Sequence, residues 1–377
     1  MNKRRQLLLA SLAGTASSIF AAESGISDSE ILLGQSAVLS GPLGPAMQGF
    51  NAGAKLAFDD ANDKGSIASR KVRLISLDDE LKPERALVNY KALLAEHKVF
   101  AFFGCVGSAT TVAAVPILKE SNAPLIGNFG LSDTAREKAK GTAYFVRATY
   151  GREANKLVQH LGTVGISRIA VAHLDNPGGQ EVLAQIKAAV LAEGKVTELA
   201  GSAAMKVDGS NAVEAGKALA AMNPQAIVMF LGGAPAAKLM LAMGEAGAAP
   251  SFYGMSVVDG HQVAKVMGAK LRGLATSQVV PYPWSESDPT ARAFRKECES
   301  AKLPVAYHVY EGYLNGLLVT EGLRRAGRNL NRASLHAVMR AMKVRIGGID
   351  VDYTGGNATG SHFAELVYVG PDGHYRR

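Results

Sequence analysis

Ser108 stands where the chain offers the most chemistry. The stretch Val99–Asn122 (VFAFFGCVGSATTVAAVPILKESN) reads as a buried strand over Val99–Phe103, a glycine-bearing turn over Gly104–Gly107 and a helix beginning at Ser108. The first N–H groups of a helix have no intrahelical partner and carry partial positive charge. Ser108, Ala109 and Thr110 therefore open a site suited to an anion. The same position is where an N-cap hydroxyl belongs, so Ser108 has two open roles: capping its own helix or holding a ligand's charged oxygen. No catalytic constellation accompanies it. A dinucleotide fingerprint would need G-x-G-x-x-G after the first strand, where GQSAVLSG stands, and GCVGSAT lacks the G-x-S-x-G spacing of a serine-hydrolase elbow. H-E-x-x-H and the P-loop are absent, and two cysteines with eight scattered histidines show no metal-ligand spacing. These absences argue against an enzyme, and no cofactor or metal is expected.

The elements that must position Ser108 alternate between strand and helix. Glu30–Leu39 is a strand, SGPLG (Ser40–Gly44) a turn and Gln48–Asp63 a helix with Phe50, Ala54, Leu56, Ala57 and Ala61 inward. Val72–Asp78, Pro124–Gly127 and Tyr144–Arg147 continue as strands, with Lys82–His97 a helix opened by Pro83 and Pro116 a bend inside the Ser108 helix. A second series follows, with strands at Arg168–His173, Gln225–Phe230 and Ser251–Met255. Its helices are Gly151–Leu161, Gln180–Glu193, Ala234–Ala246 and Val258–Met267. After the proline-bearing segment Val279–Pro289 come helices over Thr290–Lys302 and Tyr307–Ala326, then a closing strand, Glu365–Val369. This rhythm predicts an α/β protein of two doubly wound parallel sheets. Ligands of such sheets sit beyond the carboxyl ends of the strands, and here those ends carry Leu39–Gly44, Gly104–Ser108, Gly127–Gly130, Asp175–Gly179, Leu231–Ala234 and Met255–Ser256. Glycine lets backbone approach a ligand closely, or simply makes a tight turn. From these loops Leu43, Phe129, Gly130, Asn176, Gly178, Gly233 and Ser256 join Ser108, Ala109 and Thr110 as candidate contacts.

The chain has 377 residues, 47% hydrophobic and 20% charged, enough for two or three domains. Residues 1–22 (MNKRRQLLLASLAGTASSIFAA) have a basic start, an apolar run and a small-residue end, the layout of a secretory signal peptide. Arg4–Arg5 leaves the twin-arginine route open beside the general one, and the apolar run is short for a membrane anchor. Losing Lys3, Arg4 and Arg5 with the leader takes the net charge from +8 to about +5. The remaining basic residues do not form a stripe with aromatics, which argues against nucleic acid. The expected location is the periplasm, with no membrane insertion after processing. There a Cys105–Cys298 disulfide is allowed but not required by the sequence.

In order and spacing, GQSAVLSGPLG (Gly34–Gly44), NAGAKLAFDDANDK (Asn51–Lys64), LDDELK (Leu77–Lys82), FGCVGSATT (Phe103–Thr111) and YFVR (Tyr144–Arg147) resemble the leucine/isoleucine/valine-type solute-binding proteins of ABC transporters. The resemblance implies a type I periplasmic binding fold. Its two lobes would be joined by three crossings, with a cleft that closes on a small solute and a permease that recognises the closed form. Lobe 1 would be 27–147 plus 279–352, and lobe 2 148–278 plus 353–377. Ser108 falls on the serine that holds an amino acid's carboxylate in the family. Other positions depart from its amino-acid binders. Gly130–Leu131 replaces an Ala–Thr step, losing a hydroxyl unless Ser132 supplies one. Asn176–Gly179 stands where a tyrosine is expected after Asp175, and Ala234 or Pro235 replaces an aromatic. The acid that would pair a ligand ammonium falls at about Ser256, and serine cannot neutralise a buried ammonium. The expectation is a small organic acid, aromatic or aliphatic. An amino acid stays open if Asp259 supplies the missing charge. Phe129 either stacks on the ligand or belongs to the core, and Asp175 is a turn or cap residue if it is no contact. A periplasmic sensor that uses the same cleft to regulate a partner protein is the alternative to transport.

Overall fold

The computed structural model describes residues 23–377 apart from 195–197, 272 and 371. The leader read over residues 1–22 lies outside the described residues. The first lobe runs β1 (Glu30–Ala37), α1 (Gly44–Asp63), β2 (Lys71–Asp78), α2 (Pro83–Ala95), β3 (Ala101–Cys105), α3 (Ser108–Ser121), β4 (Leu125–Asn128), α4 (Asp133–Lys138) and β5 (Ala143–Tyr144). Its five strands make one parallel sheet ordered β2-β1-β3-β4-β5. The second lobe runs α5 (Tyr150–Thr163), β6 (Arg168–Leu174), α6 (Pro177–Glu193), β7 (Glu198–Met205), α7 (Ala212–Ala221), β8 (Ala226–Phe230), α8 (Gly233–Glu245), β9 (Ser251–Gly254), α9 (Gly260–Met267) and β10 (Leu274–Gln278). The chain then returns with α10 (Pro289–Ala301), α11 (Tyr307–Ala326), α12 (Arg332–Arg340) and the hairpin β11 (Lys343–Ile346)–β12 (Ile349–Asp352). Finally β13 (Glu365–Val369) and β14 (Tyr375–Arg376) add antiparallel to the second sheet, ordered β14-β13-β10-β9-β8-β6-β7.

Strands buried on both faces must be apolar throughout, and β3 (AFFGC) and β8 (AIVMF) are buried at every position. On α1, Met47, Phe50, Ala54, Ala57, Phe58 and Ala61 recur at helical spacing and are buried. That face packs on α11 so closely that a Cβ on Gly53 would overlap the Val309 carbonyl, and one on Gly312 the Phe50 carbonyl. Glycine there serves backbone approach, and it anchors the returning helices to the first lobe.

Each sheet has one place where strand order reverses: between β1 and β3 in the first, and between β6 and β8 in the second. Open α/β sheets bind ligands at such switch points. The covalent link between the lobes is itself hydrogen-bonded. The Phe145 N–H donates to Ala358 O at 2.7 Å, Gly360 N–H to Phe145 O at 2.7 Å, and Ser361 N–H to Val146 O at 2.9 Å. The first and last crossings thus run side by side as a two-stranded hinge.

Several local expectations shift. Gly104 and Cys105 belong to β3, so the turn is shorter than the glycine spacing predicts. α1 begins at Gly44, four residues before Gln48, because Pro45 suits a first helical turn. Periodicity does not announce β7, α7 or β10. β7 (ELAGSAAM) is an edge strand of small residues, mostly half-buried, so burial left little apolar signature on it. Cys105 and Cys298 are free, buried thiols, and the disulfide that an oxidising compartment permits is not formed. No helix among the described residues is long and apolar enough to cross a membrane.

Candidate functional site

A cleft between the two switch points holds about 820 Å³ of empty space, part of it open to solvent. β1 delivers Val38 and the following turn Leu43. The turn after β3 delivers Val106 and Gly107, the start of α3 Ser108, Ala109 and Thr110, and the loop after β4 Phe129 and Gly130. From the second lobe come Leu174, Asn176, Pro177 and Gly178 after β6, and Phe230, Leu231 and Gly232 after β8. Of the sequence candidates, Leu43, Ser108, Ala109, Thr110, Phe129, Gly130, Asn176 and Gly178 line this space, whereas Gly233 and Ser256 do not.

The turn before α3 explains the polar end. Gly107, with φ 85°, is the N-cap of α3 and offers no side-chain cap, so Ser108 is the first helical residue and not the cap. Only glycine takes that φ without strain. Its N–H donates to Gly130 O at 2.9 Å, and the Phe129 N–H to Cys105 O at 2.8 Å, which ties the β3 and β4 turns together. The Ser108 Oγ accepts the Ser132 N–H at 3.0 Å, leaving its own proton for the cleft. Thr110 Oγ1 donates to Val106 O at 2.6 Å, so that hydroxyl is spent on the backbone. Ser132 does not line the cleft, and its Oγ caps α4 by accepting the Ala135 N–H at 3.3 Å.

Two more helices begin here. α6 is capped by Asn176, whose Oδ1 accepts the Gly179 N–H at 2.9 Å, and α8 has Gly232 at its N-cap with no side-chain cap. The N-termini of α3, α6 and α8 thus meet at one cleft, each contributing partial positive charge. The lobes already touch across it. A Cβ on Gly178 would stand 3.4 Å from Ser108 Oγ, and one on Gly232 3.1 Å from Leu43 Cδ2. Thr134 N–H donates to Glu181 Oε1 at 3.0 Å, and Gln185 Nε2 to Asp133 Oδ2 at 2.9 Å. Gly233 sits one residue too deep: a Cβ there would meet the Asp259 carbonyl and the Gln262 side chain instead.

Among the described residues, none that lines the cleft is charged. A buried cluster of charges lies behind Phe129. There Arg147, wholly buried, places its Cζ 5.3 Å from the Phe129 ring centroid and pairs with Glu153 and Glu311 at 3.5 Å each. Ser256 belongs to this cluster. It bonds to Arg147 Nη2 and donates from its Oγ and N–H to Glu153 at 2.9 Å each. Ser277 Oγ also donates to Glu153, at 2.6 Å. Burial opposes the Arg147 charge, but Glu311 and Glu153 outweigh it and hold its pKa above the usual value. Burial, with Glu153 adding to it, pushes Glu311 up to about 7. Asp259 is likewise withdrawn from the cleft, as the cap of α9 facing His261 and His308 at 3.9 Å each.

The sequence reading missed Tyr150, the first residue of α5, which lines the cleft from the hinge. It also missed Met47, Leu81 and Val257, whose side chains complete the apolar wall. No motif marks these positions. They lie inside helices or beyond turns, and only the meeting of the lobes gathers them.

The sequence profile described as periplasmic binding protein matches residues 30–374. No curated protein sequence matches the chain. Among solved structures, a substrate-binding periplasmic protein from Ralstonia solanacearum is 27% identical, with a TM-score of 0.83, covering 92% of this chain and 99% of its own. A possible leucine/isoleucine/valine-binding protein from Rhodopirellula baltica SH 1 is 25% identical, with a TM-score of 0.83 and coverage of 93% and 96%. An extracellular ligand-binding receptor from Verminephrobacter eiseniae is also 25% identical, with a TM-score of 0.85 and coverage of 93% and 100%. The profile match spans most of the chain, and the chain belongs to the periplasmic binding protein family, whose members bind solutes and are not enzymes.

Proposed function

We propose that this protein is the exported solute-capturing component of an ABC importer, and that its cleft takes a small organic carboxylate with an aromatic or aliphatic body. The observation that carries this reading is the cleft's chemistry: three helix N-termini converge on a space with apolar walls and no charged side chain. A carboxylate gains unspent N–H groups of α3 and the Ser108 hydroxyl. An apolar body gains Leu43, Phe129, Phe230 and Val257. An α-ammonium would find no free carboxylate, because Glu153 and Glu311 are already engaged with Arg147 behind Phe129. An unpaired buried cation is costly, which weighs against an amino acid. Ligand contacts from both lobes would raise the population of the closed state. In this reading the leader directs the protein to the periplasm, and a permease receives the loaded form.

The test is thermal stability of protein stripped of bound solute by unfolding and refolding, measured with benzoate, 4-hydroxybenzoate, hexanoate, leucine, isoleucine and valine. A ligand at about 100 times its Kd adds about 2.7 kcal/mol of stability, which is visible as a rise in Tm. The acids are expected to raise Tm and the amino acids to leave it unchanged. A rise with leucine alone, or with none of the six, refutes the carboxylate reading.

A further inference from the structure

We infer that the Tyr150 phenol is the hinge's own hydrogen-bond donor to the bound carboxylate, and that position 130 is glycine to make room for it. This rests on the carboxylate reading above and adds a recognition residue to it. Tyr150 opens α5 at the first crossing, where its N–H donates to Asp133 Oδ1 at 2.9 Å. Its ring is 3% exposed and set edge-on to Phe230 of the second lobe, with centroids 4.8 Å apart. Backbone and ring are therefore both held, and the residue lines the cleft.

That hydroxyl stands 2.8 Å from where a Cβ on Gly130 would lie. Gly130 in turn accepts the Gly107 N–H through its carbonyl, at 2.9 Å. The phenol is thus beside the uncapped start of α3, where the anion is expected. Among the described residues it has no hydrogen-bond partner, whereas the other polar side chains of the cleft are committed in whole or part. Thr110 donates to Val106 O, Asn176 caps α6, and Ser108 already accepts from Ser132. Burial raises the Tyr150 pKa, so the phenol keeps its proton and can donate. The glycine is a matter of space and not conformation: its φ is not positive, and the Tyr150 oxygen and Val257 Cγ1 at 3.3 Å are what an added methyl would meet.

The experiment is calorimetric titration of benzoate and hexanoate into the wild-type chain, Tyr150→Phe, Gly130→Ala and the double variant. Tyr150→Phe removes one oxygen and is expected to weaken binding roughly tenfold or more, as for a lost hydrogen bond to a charged group, with the ligand-free Tm unchanged. Gly130→Ala alone is expected to weaken binding by displacing the hydroxyl. In the Tyr150→Phe background it should cost much less, since the atom it crowds is gone. Wild-type affinity in Tyr150→Phe, or additive effects in the double variant, overturns this inference while the carboxylate reading stands. Failure of the wild-type chain to bind either acid overturns both.

Discussion

Replacing Glu311 by Gln should change how the protein's stability depends on pH. Glu311 is 4% exposed on α11, and its Oε1 makes no hydrogen bond. Its ion-pair partner is the Arg147 guanidinium at 3.5 Å, which is shared with Glu153. Burial and the Glu153 charge win over the opposing charges of Arg147 and Arg136, and the carboxyl rises from 4.5 to about 7. A folded-state pKa above the unfolded value means that the folded chain holds the proton more tightly. Stability from this group is fully present below about pH 4.5 and is lost as pH rises through about 7. A rise from 4.5 to about 7 corresponds to about 3 kcal/mol. Gln carries no charge at any pH and so lacks this loss. Denaturant unfolding of both proteins in buffers from about pH 4.5 to about pH 8 should show the stability of wild type relative to Glu311→Gln falling by about 3 kcal/mol across the range. A difference that is flat, or that favours wild type more as pH rises, would mean Arg147 stabilises the ionised carboxylate and would refute the reasoning.

At the α1–α11 crossing, Gly312→Ala should cost roughly 1–3 kcal/mol or more, because its methyl would overlap the Phe50 carbonyl, which cannot swing away as a side chain can. The control is Gly244→Ala on α8, where nothing lies within 4 Å of the new methyl, and which should stabilise by up to about 1 kcal/mol through helix propensity. Denaturant midpoints that do not separate the two variants would contradict the packing account. Cys105 and Cys298 are buried, and each is pushed up to about 12 by burial. Neither should react with a thiol reagent in the native protein, and both should react after unfolding without reductant. Rapid native labelling, or no reactive thiol after unfolding, would count against two free buried thiols.

The sequence alone determined what depends on near neighbours. Fully apolar strands such as AFFGC and AIVMF must be buried on both faces, and strand–glycine–helix junctions must present N–H groups at the ends of strands. From these follow the α/β class, the two series of strands and most of the loops that reach the cleft. Even locally the structure adds something: the cap position of α3 falls to Gly107, and the Ser108 hydroxyl accepts from Ser132, 24 residues away. The tertiary structure decided what depends on distant partners. Ser256 sits at a strand end like the other candidates. Arg147 and Glu153, more than 100 residues earlier in the chain, draw its hydroxyl behind Phe129 and out of the cleft. Tyr150 carries no motif, yet the crossing chain delivers its phenol beside Gly130. Spacing along a chain reports which face of an element is buried. It does not report which atoms of another lobe arrive opposite that face, and the chemistry of this cleft is set by those arrivals.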